Sequence, residues 1–191
     1  MNKNILIVGV GGQGTLLASK LLGAYAQKMN FDVKVSEVHG MSQRGGSVVT
    51  YVRFGEKVNS PIIDLGEADV IISFEQLEAA RYLPYLKKGG TVITNTQKID
   101  PMPVITGAAT YPAEILEKIA ALGVDVVGAD ALSLACEAGS QKCVNVVLLG
   151  VSAVKLGLDL DVFREVVRDT VPAKLCDVNL KAFDLGIGAA K

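Results

Sequence analysis

Ile5-Leu6-Ile7-Val8-Gly9-Val10-Gly11-Gly12-Gln13-Gly14 decides the fold class. Four consecutive aliphatic residues without polar alternation are what a short strand buried on both faces requires. Glycines follow at once. From Thr15 to Met29 the residues Leu16, Leu17, Leu21, Leu22 and Tyr25 recur at helical spacing and are predicted to face the sheet. Strand, glycine turn and helix, in that order, open an α/β unit.

The pattern continues outward. Asp32 to Val38 and Ser47 to Phe54 read as second and third strands, with Gly55-Glu56 turning into a short strand around Val58. After a linker punctuated by Pro61 and Gly66, Val70-Ile71-Ile72 is another buried strand. A helix follows from about Glu75, ended or kinked at Pro84. Lys87-Lys88-Gly89-Gly90 reads as a helix end, since cations and glycine suit the last turn and the C-cap. Thr91 to Thr94 is a strand, and Gln97 to Thr110 a loop with a short strand near Val104. Pro112 suits the first position of a helix to Leu122. Val124 to Val127 is a strand, and Asp130 an N-cap. The remainder reads as helices at Ala131–Glu137, Cys143–Leu156, Asp161–Arg168 and Val178–Leu185, with Pro172 between the last two. The expectation is an α/β fold: a Rossmann-like three-layer α/β/α sandwich, one domain over residues 1–191, with its helical C-terminal third packed on the sheet.

Composition narrows the function. The chain is 50% hydrophobic but only 5% aromatic, with 20 glycines, a balance that suits a helix-covered sheet. A formal charge of −1 supplies no field to hold nucleic acid or an anionic membrane. Lys142 and Lys155 bracket the longest apolar run, which is too short for a bilayer span. Met1-Asn2-Lys3-Asn4 leads straight into a strand and not into a signal peptide, so a cytoplasmic location is expected. Cys136, Cys143 and Cys176 form no CxxC pair and no iron–sulfur run, and read as small buried apolar residues in a reducing compartment.

Two loops carry the functional content. Gly9, Gly11 and Gly14 fit G-x-G-x-x-G between a strand and a helix, where exposed N–H groups and the helix dipole favour an anion. Gly11, Gly12, Gln13 and Gly14 are therefore candidates for an anion, coenzyme or interface contact, and a tight turn without a ligand is the competing reading. Glu37 stands near the position of a ribose-binding acid, but Gln13 puts an amide where dinucleotide loops carry small residues. The second loop, His39-Gly40-Met41-Ser42-Gln43-Arg44-Gly45-Gly46, holds the protein's one histidine and no acid. His39, Ser42, Gln43, Arg44, Gly45 and Gly46 are its candidate interface residues, because charge-poor surface with Arg and Met suits the centre of an interface. Arg44 can grip a carboxylate or phosphate through two parallel hydrogen bonds, or pair with Glu37. If the first two strands run in the same direction, both loops face one crevice at the sheet edge. Neither an activated nucleophile nor metal-ligand spacing is present, so no catalytic residue and no metal ligand is assigned.

With these residues in view, the chain resembles the gamma-type subunit or domain of the 2-oxoacid:acceptor (ferredoxin) oxidoreductases. The likeness rests on Gly9–Gly14, on Glu37–Gly46, and on Phe74-Glu75-Gln76-Leu77-Glu78-Ala79. It extends to Leu83-Pro84-Tyr85-Leu86 before Gly89-Gly90, and to Asn145 with Leu149-Gly150. Tyr111-Pro112 and the compact length make it most similar to the indolepyruvate type, whose small beta subunit corresponds to this piece. The resemblance implies oxidative decarboxylation of a 2-oxoacid to an acyl-CoA with ferredoxin as electron acceptor. It implies thiamine diphosphate, magnesium and iron–sulfur clusters held by partner subunits, and coenzyme A enclosed partly by this one. Gln13, His39, Ser42, Gln43 and Arg44 are the candidates for that contact. Two other classes stay open on residues alone. One is a stand-alone NAD(P)- or flavin-nucleotide oxidoreductase using Gly9–Gly14. The other is an adenylating domain of the ubiquitin-activating type, which in many members expects paired CxxC motifs absent here.

Overall fold

The computed structural model describes residues 2–40 and 45–190. Ser42, Gln43 and Arg44 lie outside the described residues. Strands β1 (Lys3–Val10), β2 (Asp32–His39), β3 (Ser47–Gly55), β4 (Ala68–Ser73), β5 (Leu86–Asn95) and β6 (Asp125–Ala129) form one sheet in the order β2-β3-β1-β4-β5-β6. β1, β4, β5 and β6 are parallel, while β3 runs antiparallel to both β1 and β2. β2 therefore points the same way as β1, but β3 lies between them. The segment joining β2 to β3 is a hairpin connection at the carboxyl edge of β1.

Alternation along the strands sends side chains to two cores. Ile5, Ile7, Val52, Phe54, Ile72 and Ile93 face a helical layer. That layer contains α1 (Thr15–Lys28), α5 (Ala131–Ala138), α6 (Val144–Leu156), α7 (Leu160–Thr170) and α8 (Cys176–Gly188). Leu6, Val8, Val49, Tyr51, Ile71 and Val92 face the other side, covered by α2 (Gln76–Tyr82) and α4 (Ile115–Ala121). A single turn, α3 (Met102–Ile105), lies in the connection from β5 to α4. The three layers and the helical C-terminal third are thus as expected. α6 is apolar nearly all round because it sits between the sheet and α8, with ten of its thirteen residues buried.

Several local readings change. Lys87–Gly90 is not a helix end. Ala68 pairs with Leu86 and Val70 with Thr91, so these four residues bulge out of β5 opposite Asp69. Gly89 takes φ 77° there, and Lys87 pairs with Asp69 instead of with a helix dipole. The helix after Glu75 has already ended in a 3-10 turn at Leu83–Tyr85, where Pro84 removes a donor. No strand forms near Val58, whose N–H bonds the Asp32 carboxylate at 2.9 Å and not a ladder partner. Val104 is helical, its N–H reaching the Pro101 carbonyl at 2.8 Å. The helix predicted from Pro112 starts at Ile115, after Glu114 takes a left-handed φ of 55°. Leu16 points outward, 66% exposed at the rim of the glycine loop. Of the three free thiols only Cys143 is buried; Cys176 is half-buried and Cys136 exposed.

Helices α6 and α8 meet through Gly150 and Gly186. A Cβ on Gly186 would fall 2.0 Å from the Val147 carbonyl oxygen, and one on Gly150 2.2 Å from that of Phe183. Backbone cannot yield cheaply at such a crossing. Gly186→Ala is expected to cost about 2 kcal/mol or more, a Tm fall of roughly 4–8 °C for a chain of this size. Gly188→Ala in the same helix, where a Cβ meets nothing within 4 Å, should leave Tm unchanged or raise it slightly. Thermal denaturation of the two variants side by side checks the crossing.

Candidate functional site

The two loops singled out in the sequence meet at one sheet edge. Gly9 pairs with Val48 and Val48 with His39, so the three residues form one row across β1, β3 and β2. At a strand spacing of about 4.8 Å, the His39 backbone stands roughly 10 Å from Gly9. Beyond the strands, the Gly11 N–H donates to the Gly46 carbonyl at 2.9 Å and ties the glycine loop to the end of the second loop. A cavity of about 420 Å³ opens between them, lined by Gly11, Gly12, Gly14, Thr15, Glu37 and His39. That volume lies within the usual range for ligand clefts.

The glycine loop is held from three sides. Gly12 and Gly14 take φ of 102° and 87°, which only glycine adopts without strain. Gln13 turns its amide inward: Oε1 accepts from the Val10 N–H at 2.8 Å, and Nε2 donates to the Phe74 carbonyl at 3.1 Å. The carboxamide therefore bridges the carboxyl ends of β1 and β4. Their following helices leave on opposite faces of the sheet, the switch point where open α/β sheets collect nucleotides. A Cβ on Gly9 would lie 2.8 Å from Gln13 Oε1 and 3.0 Å from Phe74 Cβ, so the crevice is closed by atoms in contact. From the far side, Asn145 of α6 donates from Nδ2 to the Gly14 carbonyl at 3.2 Å.

Glu37 has an internal occupation too. Its Oε2 accepts from the Thr50 hydroxyl at 3.0 Å, directly across the β2–β3 pair, and from the Thr15 hydroxyl at 3.4 Å. Thr15 opens α1, whose N-cap Gly14 has no side chain and whose first turn contains no acid. Glu37 supplies from a neighbouring strand the negative charge that helix end attracts. His39 is exposed, with Nδ1 3.1 Å from the Gly40 carbonyl. Gly45 and Ser47 line a further cavity with Glu78 and Arg81, where Glu78 accepts from Ser47 at 2.5 Å and from Arg81 at 3.0 Å.

One buried carboxylate organises the neighbouring edge. Glu75 is 1% exposed, and its Oε2 caps α2 by accepting from the N–H groups of Leu77 at 2.6 Å and Glu78 at 3.1 Å. Its Oε1 accepts from the Ile99 N–H at 3.2 Å and from the Tyr111 hydroxyl. Two of the blocks that carry the family likeness, Phe74–Ala79 and Tyr111-Pro112, thus meet in space. Residue reading missed this contact, because 36 positions of chain separate its partners. It also missed Gln97, Gln141 and Lys142, which line a cavity of about 500 Å³ on the α6 side of the glycine loop. Parallel strand order was the available signal, since it brings the ends of β5 and β6 to the same edge.

Among the described residues no group of three or more His, Cys, Asp or Glu could hold a metal ion, and no helix is long and apolar enough to cross a membrane.

A six-stranded sheet of this order, covered by helices on both faces, is a fold shared with solved gamma-type subunits of oxoacid oxidoreductases. Residues 4–189 match the family of pyruvate ferredoxin/flavodoxin oxidoreductases, and the chain belongs to that family. It is 50% identical over 193 residues to indolepyruvate oxidoreductase subunit IorB of Thermococcus kodakarensis, with 98% of this chain and 96% of IorB covered. It is 31% identical over 192 residues to ketoisovalerate oxidoreductase subunit VorA of Methanothermobacter marburgensis, where it spans 36% of the longer protein. In structure it is similar to the gamma subunit of a keto/oxoacid ferredoxin oxidoreductase from Geobacter sulfurreducens, at TM-score 0.74 and 21% identity with 98% of each chain covered.

Burial and the Glu75 carboxylate together hold the Tyr111 phenol well above its usual range. The folded state keeps this proton where the unfolded chain loses it, so the contribution is complete below pH 10 and is lost as pH rises above that value. Wild type should lose stability more steeply than Tyr111→Phe between about pH 10 and 11.5 in urea titrations. Burial also raises Tyr51, which leaves a shallower slope in the variant; equal slopes would contradict the assignment. At the switch point, the Gln13 carboxamide already engages the Val10 N–H and the Phe74 carbonyl. Fluorescence titration of the isolated chain with NADH is therefore expected to give no saturable micromolar binding.

Proposed function

We propose that this chain is the small subunit of a 2-oxoacid:ferredoxin oxidoreductase of the indolepyruvate type, acting as one gamma-type domain over residues 1–191. The single observation that carries the reading is the match with IorB at half identity over nearly the full length of both chains. The assembled enzyme converts a 2-oxoacid and coenzyme A to an acyl-CoA and carbon dioxide, and the two electrons released pass to ferredoxin. Thiamine diphosphate with its magnesium, and the iron–sulfur clusters, belong to partner subunits, and the complex works in the cytoplasm. This chain contributes no proton-transfer group and no nucleophile. Its work is to dock, and to close one side of the space that coenzyme A enters.

Geometry supports that role in a specific way. The inward-turned Gln13 and the Thr-bonded Glu37 leave the glycine loop with little to offer a free nucleotide. They make it a rigid wall instead. His39, Gly45 and Gly46 border that wall, with Gly46 fastened to Gly11, and together with Ser42, Gln43 and Arg44 of the same sequence block they are assigned as the contact surface. An arginine in this setting is suited to a partner carboxylate or a coenzyme phosphate.

Affinity purification of the native assembly through a tag on this chain should bring down a larger subunit carrying thiamine diphosphate and iron–sulfur clusters. Reduction of a viologen dye across a panel of 2-oxoacids identifies the substrate. Arg44→Ala is expected to lower the activity of the assembly at least about tenfold while leaving Tm of the isolated chain unchanged. Wild-type activity and stoichiometry in the variant would remove the loop from the interface.

A further inference from the structure

Between β5 and α4 the chain leaves the sheet for residues 96–114, well beyond the usual length of a strand-to-helix connection. Pro101 to Ala113 contains no Asp, Glu, Lys, Arg or His, although 20% of the whole chain is charged. Most of this stretch is exposed. A surface loop that stays in water ordinarily carries charge; one without it suits the centre of a contact between proteins. At its tip Met102 and Ile105 are 64% and 65% exposed, and their spacing of three on α3 puts them side by side.

The arm has a fixed shape. The Pro101 carbonyl accepts from the N–H groups of Val104 and Ile105, the Met102 carbonyl from that of Thr106, and the Pro103 carbonyl from that of Ala109, all at 2.8–3.1 Å. Its two ends converge on one atom: Glu75 Oε1 receives the Ile99 N–H and the Tyr111 hydroxyl. Lys98 lies over the Tyr111 ring, 5.9 Å from its centre. These internal bonds favour one shape of the arm, which lowers the entropic penalty of docking.

From this geometry we infer that the 99–111 arm inserts Met102 and Ile105 into an uncharged apolar groove on the partner polypeptide of the complex. The inference rests on the subunit reading given above and deepens it. Two observations favour that occupant over a second copy of this chain. Pro101 and Met102 line the same cavity as Gly45 and Ser47, so the arm continues the surface of the second loop. And the domain is matched nearly end to end in IorB but forms only 36% of VorA, where the remaining polypeptide is covalently attached. A domain found both fused and separate needs a surface for the rest of its assembly.

The native assembly is purified through a tag on this chain in four forms: wild type, Met102→Glu/Ile105→Glu, Met102→Leu/Ile105→Val, and Leu122→Glu. Leu122 is 72% exposed at the end of α4 and controls for added charge. The double acidic variant should weaken association with the larger subunit on the order of tenfold or more, with Tm of the isolated chain unchanged. The conservative pair and Leu122→Glu should retain the partner. Wild-type recovery of the partner by the double acidic variant would overturn the arm's role and leave the subunit reading standing. So would a change only in self-association of the isolated chain, which would make a second copy the occupant. Failure of wild type itself to bring down a larger chain would sink the subunit reading and the arm with it.

Discussion

The Gln13 carboxamide, strung between the Val10 N–H and the Phe74 carbonyl, determines what this sheet edge can do. Parallel strands whose helices leave on opposite faces open a crevice at their carboxyl ends, and the exposed backbone there normally waits for a ligand. Here one side chain of the loop itself satisfies a donor and an acceptor on the two strands. The Val10 N–H would otherwise need water or an anion, and the Phe74 carbonyl water or another donor. The glycine loop is thereby braced from within. Its unusual backbone angles remain, because the chain still has to turn within five residues from β1 into α1.

The adjacent edge follows from the Glu75 carboxylate in the same manner. A nearly buried acid is tolerable only where donors surround it, and Glu75 has four: two from α2, one from Ile99 and one from Tyr111. Capping the helix and fastening the arm are one interaction. The position of α2 against β4 and the angle at which residues 99–111 leave the sheet cannot vary independently. Rigid positioning by a buried charge, with apolar contact offered at the tip, is the arrangement expected of a docking element.

Much of this was legible in the sequence, and the failures have physical causes. Ile5–Val8 followed by glycine and an apolar helix pointed to β1 and α1 because an apolar run cut off by glycines after a few residues is too short for a helix, while the residues after it recur at helical spacing. The C-terminal helices fell within a few residues of their predicted bounds, with Asp130 capping α5 as expected. Lys87–Gly90 misled because cations and glycine suit a helix end and a strand bulge equally; only pairing with Asp69 separates them. Val104 misled through its β-branched side chain, which the flanking prolines override. The placement of β3 between β1 and β2 was invisible for a deeper reason. Strand order is a property of pairing, and a β-branched run such as Ser47–Phe54 is compatible with either direction. Gln13 was noticeable as out of place for a dinucleotide loop, yet its bridge depended on Phe74, sixty-one residues away.

The antiparallel β3 also explains why the two loops cooperate. In a fully parallel sheet each strand end is followed by a helix, and neighbouring loops share an edge but not a backbone bond. A hairpin returns the chain at once, so Gly46 arrives beside Gly11 and its carbonyl accepts from that amide. The second loop is then anchored at both ends, by the His39–Val48 pair and by the glycine turn. On the inner side of this edge, Thr50 and Thr15 hold the Glu37 carboxylate.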